Sequence, residues 1–232
     1  KSPGAALVQA FESGVRIFDF TPLKVPPGGG TAWEVQSISG VENVSALEVV
    51  IGHVQARQRS WWREAYGTSE GNGPPDCQST DGLVGRGNNS LVAPEDPRER
   101  SFEQHECASC PWDQFGSSRG AKGEGKDCSE FARLFVFRPR STLPYMLKVP
   151  VMSLKPLRKY SVALMGEGLT PWGVVTRLKL SKVKGPPDYS TIVFELAGQL
   201  DEMAQAKFSE IHEALGGQLM RQTANKSTGE IN

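Results

Sequence analysis

All four cysteines of this 232-residue chain lie in one stretch, at Cys77, Cys107, Cys110 and Cys128, with the spacing C-x29-C-x2-C-x17-C. Residues 67–126 are rich in Gly, Pro, Asn, Ser and charge and carry little apolar content. Such a segment cannot bury a core of its own, so it needs another staple. Tetrahedral zinc is the expected one: four thiolates fill its coordination sphere and leave no position for water, which makes the ion structural. With a single CxxC knuckle, two disulfides or unlinked thiols remain the competing readings. His105, two residues before Cys107, is a candidate to replace one thiolate.

The rest of the chain reads as globular. Hydrophobic residues make up 38% and charged residues 22%, which fits neither a disordered nor a membrane-spanning composition. No stretch approaches the ~20 apolar residues that cross a bilayer. The start, Lys1-Ser-Pro-Gly4, lacks the apolar run of a signal peptide, and the absent initiator Met suggests a trimmed or incomplete N-terminus. The expectation is a soluble, intracellular protein without a membrane partner. Glycine (25) and proline (16) favour short strands and turns over a long helical bundle.

Formal net charge is zero, from 26 Lys plus Arg against 26 Asp plus Glu, and taken alone that argues against a nucleic-acid binder. The charge is segregated, however. Residues 129–184 hold 11 basic residues against Glu130 and Glu167, a local +9; residues 1–128 sum to −5 and 185–232 to −4. A basic middle of this kind is either a solvated face or a polyanion surface.

Period-two alternation predicts a strand from Ser129 to Pro139, with Phe131, Arg133, Phe135 and Phe137 on one face and Ala132, Leu134 and Val136 on the other. Residues 143–149 form a second extended run and Trp172 to Leu180 a third, with Arg177 and Lys179 on its polar face. Aromatic and basic side chains sharing a strand face suit single-stranded nucleic acid, where bases stack on rings and cations meet phosphates. The competing reading places Phe135 and Phe137 in a core buried on both sides. Further strands are expected at Arg16–Phe20, Ala46–Ile51 and Ile192–Leu196. The Pro-Pro-Gly-Gly-Gly run at 26–30 is a turn, not a phosphate loop, because no Lys-Ser/Thr and helix follow it. A short helix falls between Val151 and Met165, exposing Lys155, Arg158 and Lys159 despite Pro156. Leu200, Met203, Phe208, Ile211 and Leu215 have helical spacing, with a stop expected at Gly216-Gly217 and disorder over 216–232.

Catalysis finds no support in motifs: there is no HExxH, no GxSxG and no paired-carboxylate cluster. His53 and His212 are isolated in sequence. The protein is expected not to be an enzyme.

The runs Pro75-Asp-Cys77, Ser79-Thr-Asp81-Gly82, Cys107-Ala-Ser-Cys110-Pro111, Gln114-Phe115-Gly116-Ser117 and Lys126-Asp-Cys128, followed by Leu143-Pro144, Ser153-Leu154-Lys155 and Val174-Val-Thr-Arg177, carry a resemblance. They resemble the zinc-containing single-stranded-DNA-binding proteins of phages and mobile elements. The likeness covers roughly residues 45–198. It implies a mainly β fold: an oligonucleotide-binding barrel of the OB type with an inserted loop-rich zinc subdomain and a C-terminal amphipathic helix. The segments implied are 1–66 and 129–215 for the barrel and its helix, and 67–128 for the insertion. Zinc at Cys77, Cys107, Cys110 and Cys128 follows from the same likeness.

The nucleic-acid contacts expected are Arg57, Arg59, Trp61, Trp62, Arg133, Phe135, Phe137, Arg138, Tyr145, Lys148, Lys155, Arg158, Lys159, Trp172, Arg177 and Lys179. The partner expected is single-stranded DNA, with RNA as the alternative, in replication or recombination of a phage or mobile element in the cytoplasm of a bacterial host. Replication or recombination proteins are further expected partners. A zinc-stabilised module that binds a host polymerase or replisome component is the competing function.

Overall fold

The structure, a computed structural model, describes residues 3–16, 19–38, 40–64, 75–87, 104–119 and 124–228. Among the described residues it is mainly β. Two compact units divide the chain. One joins Lys1–Val54 to Arg133–Asn232; the other is continuous, Gln55–Ala132.

The first unit opens with α1 (Pro3–Glu12), whose Pro3 sits in the first turn, where a missing N–H costs nothing. Then come β1 (Pro22–Leu23) and the hairpin β2 (Trp33–Ser37) and β3 (Gly40–Val44). This hairpin escaped the period-two reading because it turns only Trp33 and Val35 inward. Trp33 is fully buried and donates its indole N–H to the Leu178 carbonyl at 3.2 Å. The long β4 (Ala46–Trp61) follows, with β8 (Ser129–Phe137), β9 (Tyr145–Pro150), α2 (Val151–Gly166), β10 (Val174–Val183), β11 (Tyr189–Gln199) and α3 (Glu202–Thr228) completing the unit. Strand order runs β1-β9-β8-β4, and β10 pairs antiparallel with both β11 and the start of β4. Among the described residues the sheet does not close into a barrel.

Strand β8 is buried on both faces, because neighbouring β9 and β4 flank it and apolar layers cover each side. Phe135 and Phe137 enter a cluster with Leu7, Phe20, Ile211, Leu215 and Leu219, drawn from α1, α3 and the chain between α1 and β1. Leu134 and Val136 are equally inaccessible on the other side. Strand β10 does alternate as expected, with Val174, Thr176, Leu178 and Leu180 inward. Trp172 instead lies in a 3-10 turn (Pro171–Gly173) ahead of it.

Helix α2 keeps Pro156 inside it. The carbonyl this leaves without a helical donor belongs to Met152, in the first turn on the exposed side of the helix. Ser153 accepts the Ile192 N–H at 2.9 Å, and Tyr160 stacks on Phe194 while its hydroxyl meets that of Thr176 at 2.7 Å. These contacts hold α2 against β10 and β11. Helix α3 runs through Gly216 and Gly217 instead of ending there, and reaches Thr228; the rest of the expected tail lies outside the described residues. A Cβ on Gly216 would stand 3.3 Å from the His53 ring, so this glycine permits close packing and is not a stop. Of the strand expected at Arg16–Phe20, Ile17 and Phe18 lie outside the described residues, and Asp19 and Phe20 are not in a strand.

The second unit takes the end of β4 and adds β5 (Cys77–Ser79), β6 (Val84–Gly87) and β7 (Gln104–Glu106) as an antiparallel sheet. A 3-10 turn (Pro111–Asp113) and the start of β8 complete what is described of it. No described helix is long and apolar enough to cross a membrane.

Candidate metal centre and nucleic-acid surface

Cys77 begins β5, Cys107 and Cys110 flank the turn after β7, and Cys128 stands just before β8. The Cys110 N–H bonds the Cys107 carbonyl at 3.2 Å, which closes the CxxC turn, while the Cys107 N–H is held by the Leu83 carbonyl at 2.8 Å. All four thiols line one cavity of about 10 Å³, together with His105, Arg59, Trp61, Trp112 and Asp113. That is room for about one water-sized particle. His105 Nε2 lies 3.3 Å from the Cys77 sulfur. All four cysteines are free thiols, so the competing reading of two disulfides is not what the structure holds.

Burial first, then the neighbouring thiols Cys110 and Cys107, then Asp76 push the Cys77 thiol up to about 12. Burial, then Asp113, Cys77 and Cys110 push Cys128 to about 12 as well, against the pull of Arg59. Negative charges crowded into a low-dielectric pocket oppose one another, and a bound cation reverses that balance. Four thiols and an imidazole are also the donor types that zinc takes. By chemistry the residues fit the ion. As placed, no three or more described His, Cys, Asp or Glu residues form a coordination group, so the four sulfurs converge on a cavity without forming a closed sphere.

Two glycines that spacing did not single out make this convergence possible. A Cβ on Gly85 would lie 2.5 Å from His105 Nε2 and 3.2 Å from the Cys77 sulfur. Gly87 has φ +121°, and a Cβ there would meet the Asp76 carbonyl oxygen at 2.1 Å. That backbone conformation costs any other residue about 1–3 kcal/mol. The Val84-Gly-Arg-Gly87 run is the signal that could have marked them.

Arg59, Trp61 and Trp62 belong to this unit's scaffold. Arg59 forms an ion pair with the buried Asp113, which Lys126 also reaches at 3.1 Å. Trp61 is 1% exposed, stacks on Trp112 at 5.4 Å and donates its indole N–H to Asp127 at 2.7 Å. Its expected stacking on a base is therefore corrected: with both faces covered, it anchors the four-cysteine unit. Arg119 lies over the Trp61 ring at 5.6 Å and donates to the Trp62 carbonyl at 2.6 Å. Trp62 is half-buried, and Arg57 is exposed with φ +57°.

In the first unit, Phe135 is fully buried and Phe137 is 3% exposed. Both were expected to stack on bases, and a ring enclosed in a core cannot. Trp172 is half-buried and stacks on His212 at 3.7 Å. His212 in turn stands 3.3 Å, nitrogen to nitrogen, from His53. Tyr145 is half-buried and donates to the Gln36 carbonyl at 3.4 Å.

The cations divide into two groups. Arg138 pairs with Glu42 at 3.0 Å, Arg177 with Glu48 at 2.7 Å, Lys179 with Glu195 at 2.8 Å and Lys182 with Asp188 at 2.7 Å. These carboxylates lie outside residues 129–184, so they offset much of that segment's excess. Such exposed pairs are worth about 0–1 kcal/mol each and exchange readily for phosphate. Lys155, Arg158 and Lys159 are exposed on α2 with no carboxylate partner among the described residues. Lys148 on β9 is held below the ordinary lysine pKa by partial burial and then by the charge of Arg133 on β8. Arg133, half-buried, is lowered by burial as well.

Compared with known proteins, the chain matches no family model, no curated protein and no solved structure.

Proposed function

We propose that this protein binds single-stranded nucleic acid, DNA first, without catalysing a reaction and largely without regard to sequence. The observation that carries the reading is the α2 face of Lys155, Arg158 and Lys159, exposed without carboxylate partners among the described residues, in a segment whose formal charge is +9. Arg133 and Lys148 add two like charges on adjacent strands. An anionic backbone is the ligand that lowers the energy of such an array, through cation contacts that release counterions. The reading includes a structural zinc ion held by Cys77, Cys107, Cys110 and Cys128, with His105 as the reserve ligand. The ion supplies charge neutralisation to the thiolates and a staple for a unit short of apolar residues. It also includes an OB-like barrel for the first unit, to which β8, β4, β10 and β11 would contribute consecutive paired strands.

The test is titration of fluorescent oligo-dT at two salt concentrations, with metal analysis of the same sample. Binding is expected to weaken steeply with salt, the log–log slope being about 0.7 per phosphate contact. Absence of binding at low salt would sink the reading.

A second reading is supported by the same helix. Val151, Met152, Val162 and Met165 are 50% to 64% exposed around the three cations. An apolar and basic helix face suits an acidic protein partner, and a zinc-stabilised interaction module would use it. Capture of such a partner without any salt-sensitive oligonucleotide binding would favour that alternative.

A further inference from the structure

Phe115 is 82% exposed and is the one aromatic among the exposed large hydrophobic residues described. It follows the 3-10 turn Pro111–Asp113 of the four-cysteine unit, and the backbone around it is fixed from both sides. The Gln114 side-chain amide donates to the carbonyls of Ala108 at 2.9 Å and Cys110 at 3.3 Å. Gly116 and Ser118 both donate their N–H groups to the Gly125 carbonyl, at 3.0 and 3.1 Å. The Ser117 hydroxyl donates to the Trp112 carbonyl at 2.9 Å and accepts the Asp127 N–H at 3.1 Å. Gly116, at φ +90°, allows the sharp bend that turns the ring outward. An apolar ring is thus presented to water from a loop held by backbone and side-chain hydrogen bonds.

The charge beside it is positive. Lys126 Nζ sits 5.2 Å from the Phe115 ring centre, within cation–π range, and is steadied there by Asp113 at 3.1 Å. Arg59 shares that carboxylate from the thiol-lined side, which leaves Lys126 as the cation beside the ring. A single preorganised ring with a cation beside it is the arrangement that takes one base in a stack and its phosphate alongside.

We propose that Phe115 is a base-stacking platform, with Lys126 meeting the adjoining phosphate, so that the four-cysteine unit contributes directly to binding single strands. This rests on the nucleic-acid reading above. The test compares wild type, Phe115→Ala and Phe115→Tyr with fluorescent oligo-dT and with a duplex of the same length at low salt. Phe115→Ala is expected to bind the single strand about 5- to 100-fold more weakly, as loss of one stacked base implies, while Phe115→Tyr stays near wild type and duplex binding does not change. Wild-type binding with Phe115→Ala unchanged would overturn the platform and leave the nucleic-acid reading standing. A loss that Phe115→Tyr fails to restore, or one that extends equally to duplex, would also overturn it. No wild-type binding would overturn both.

Discussion

His53, on β4, faces His212 of α3 across 3.3 Å, nitrogen to nitrogen. The Gly52 carbonyl, 3.1 Å from His212 Nδ1, can only accept, which assigns the shared proton to His212 and leaves His53 Nδ1 as an acceptor. Protonating His53 would force a second hydrogen into that gap. Burial first, and the neighbouring His212 second, hold the His53 pKa down at about 4, against an ordinary 6.5. Between those values the unfolded chain binds the proton and the folded chain does not, so stability falls as pH drops through that window and is full above it. The expected outcome is a wild-type thermal midpoint that declines below about pH 6.5 more steeply than that of His53→Gln. The differential is on the order of 1–2 kcal/mol, since the ring is only half-buried and partly screened. Parallel curves for the two proteins would show that the histidine pair does not govern acid stability.

At the scale of elements, α2 is where binding and packing separate most cleanly. Ser153, Leu154, Leu157 and Leu164 are buried, so the opposite face tolerates change. Replacing Lys155, Arg158 and Lys159 together by Gln is expected to leave the fold intact and lower the salt slope of oligonucleotide binding by about two. An unchanged slope would place the phosphate contacts on other elements.

Strand β10 was legible because apolar alternation and burial agree there, and α2 because Leu154, Leu157 and Leu164 keep helical spacing on its buried face, although Val162 is exposed. Strand β8 was legible as a strand but not as a surface. Its run Leu134-Phe-Val-Phe137 is apolar on both faces, as a strand buried on both sides requires, and it is this competing reading, not the alternation of Phe131, Arg133, Phe135 and Phe137, that the structure follows. The end of α3 was misread because Gly216 serves a tertiary contact with His53, and no local pattern reveals that. Likewise, Glu42, Glu48 and Glu195 stand far in sequence from the cations they meet. The spacing of the cysteines marked the segment that holds them, whereas the need for Gly87 arises only when β6 pairs with β5, and that for Gly85 when β6 pairs with β7.

For the whole molecule, the two units differ in what holds them. The first owns the large apolar cluster of β8, α1 and α3. The second combines ion pairs, a stacked tryptophan pair and the thiol-lined cavity. Stripping zinc with a chelator is therefore expected to open the second selectively. Limited proteolysis read by mass spectrometry should gain cleavage sites within Gln55–Ala132 and few elsewhere. A cleavage pattern indifferent to chelator would remove zinc from the account.

The division of the chain also orders events during synthesis. Gln55–Ala132 is complete in sequence before Arg133 is made, whereas the other unit, whose two segments flank it in sequence, lacks most of β8, β9 to β11, α2 and α3 until later. The continuous unit can mature on the ribosome while Leu47, Val49 and Ile51 of the other still await partners. On the zinc reading proposed above, metal supply at that moment would bear on yield, as would shelter for that waiting strand.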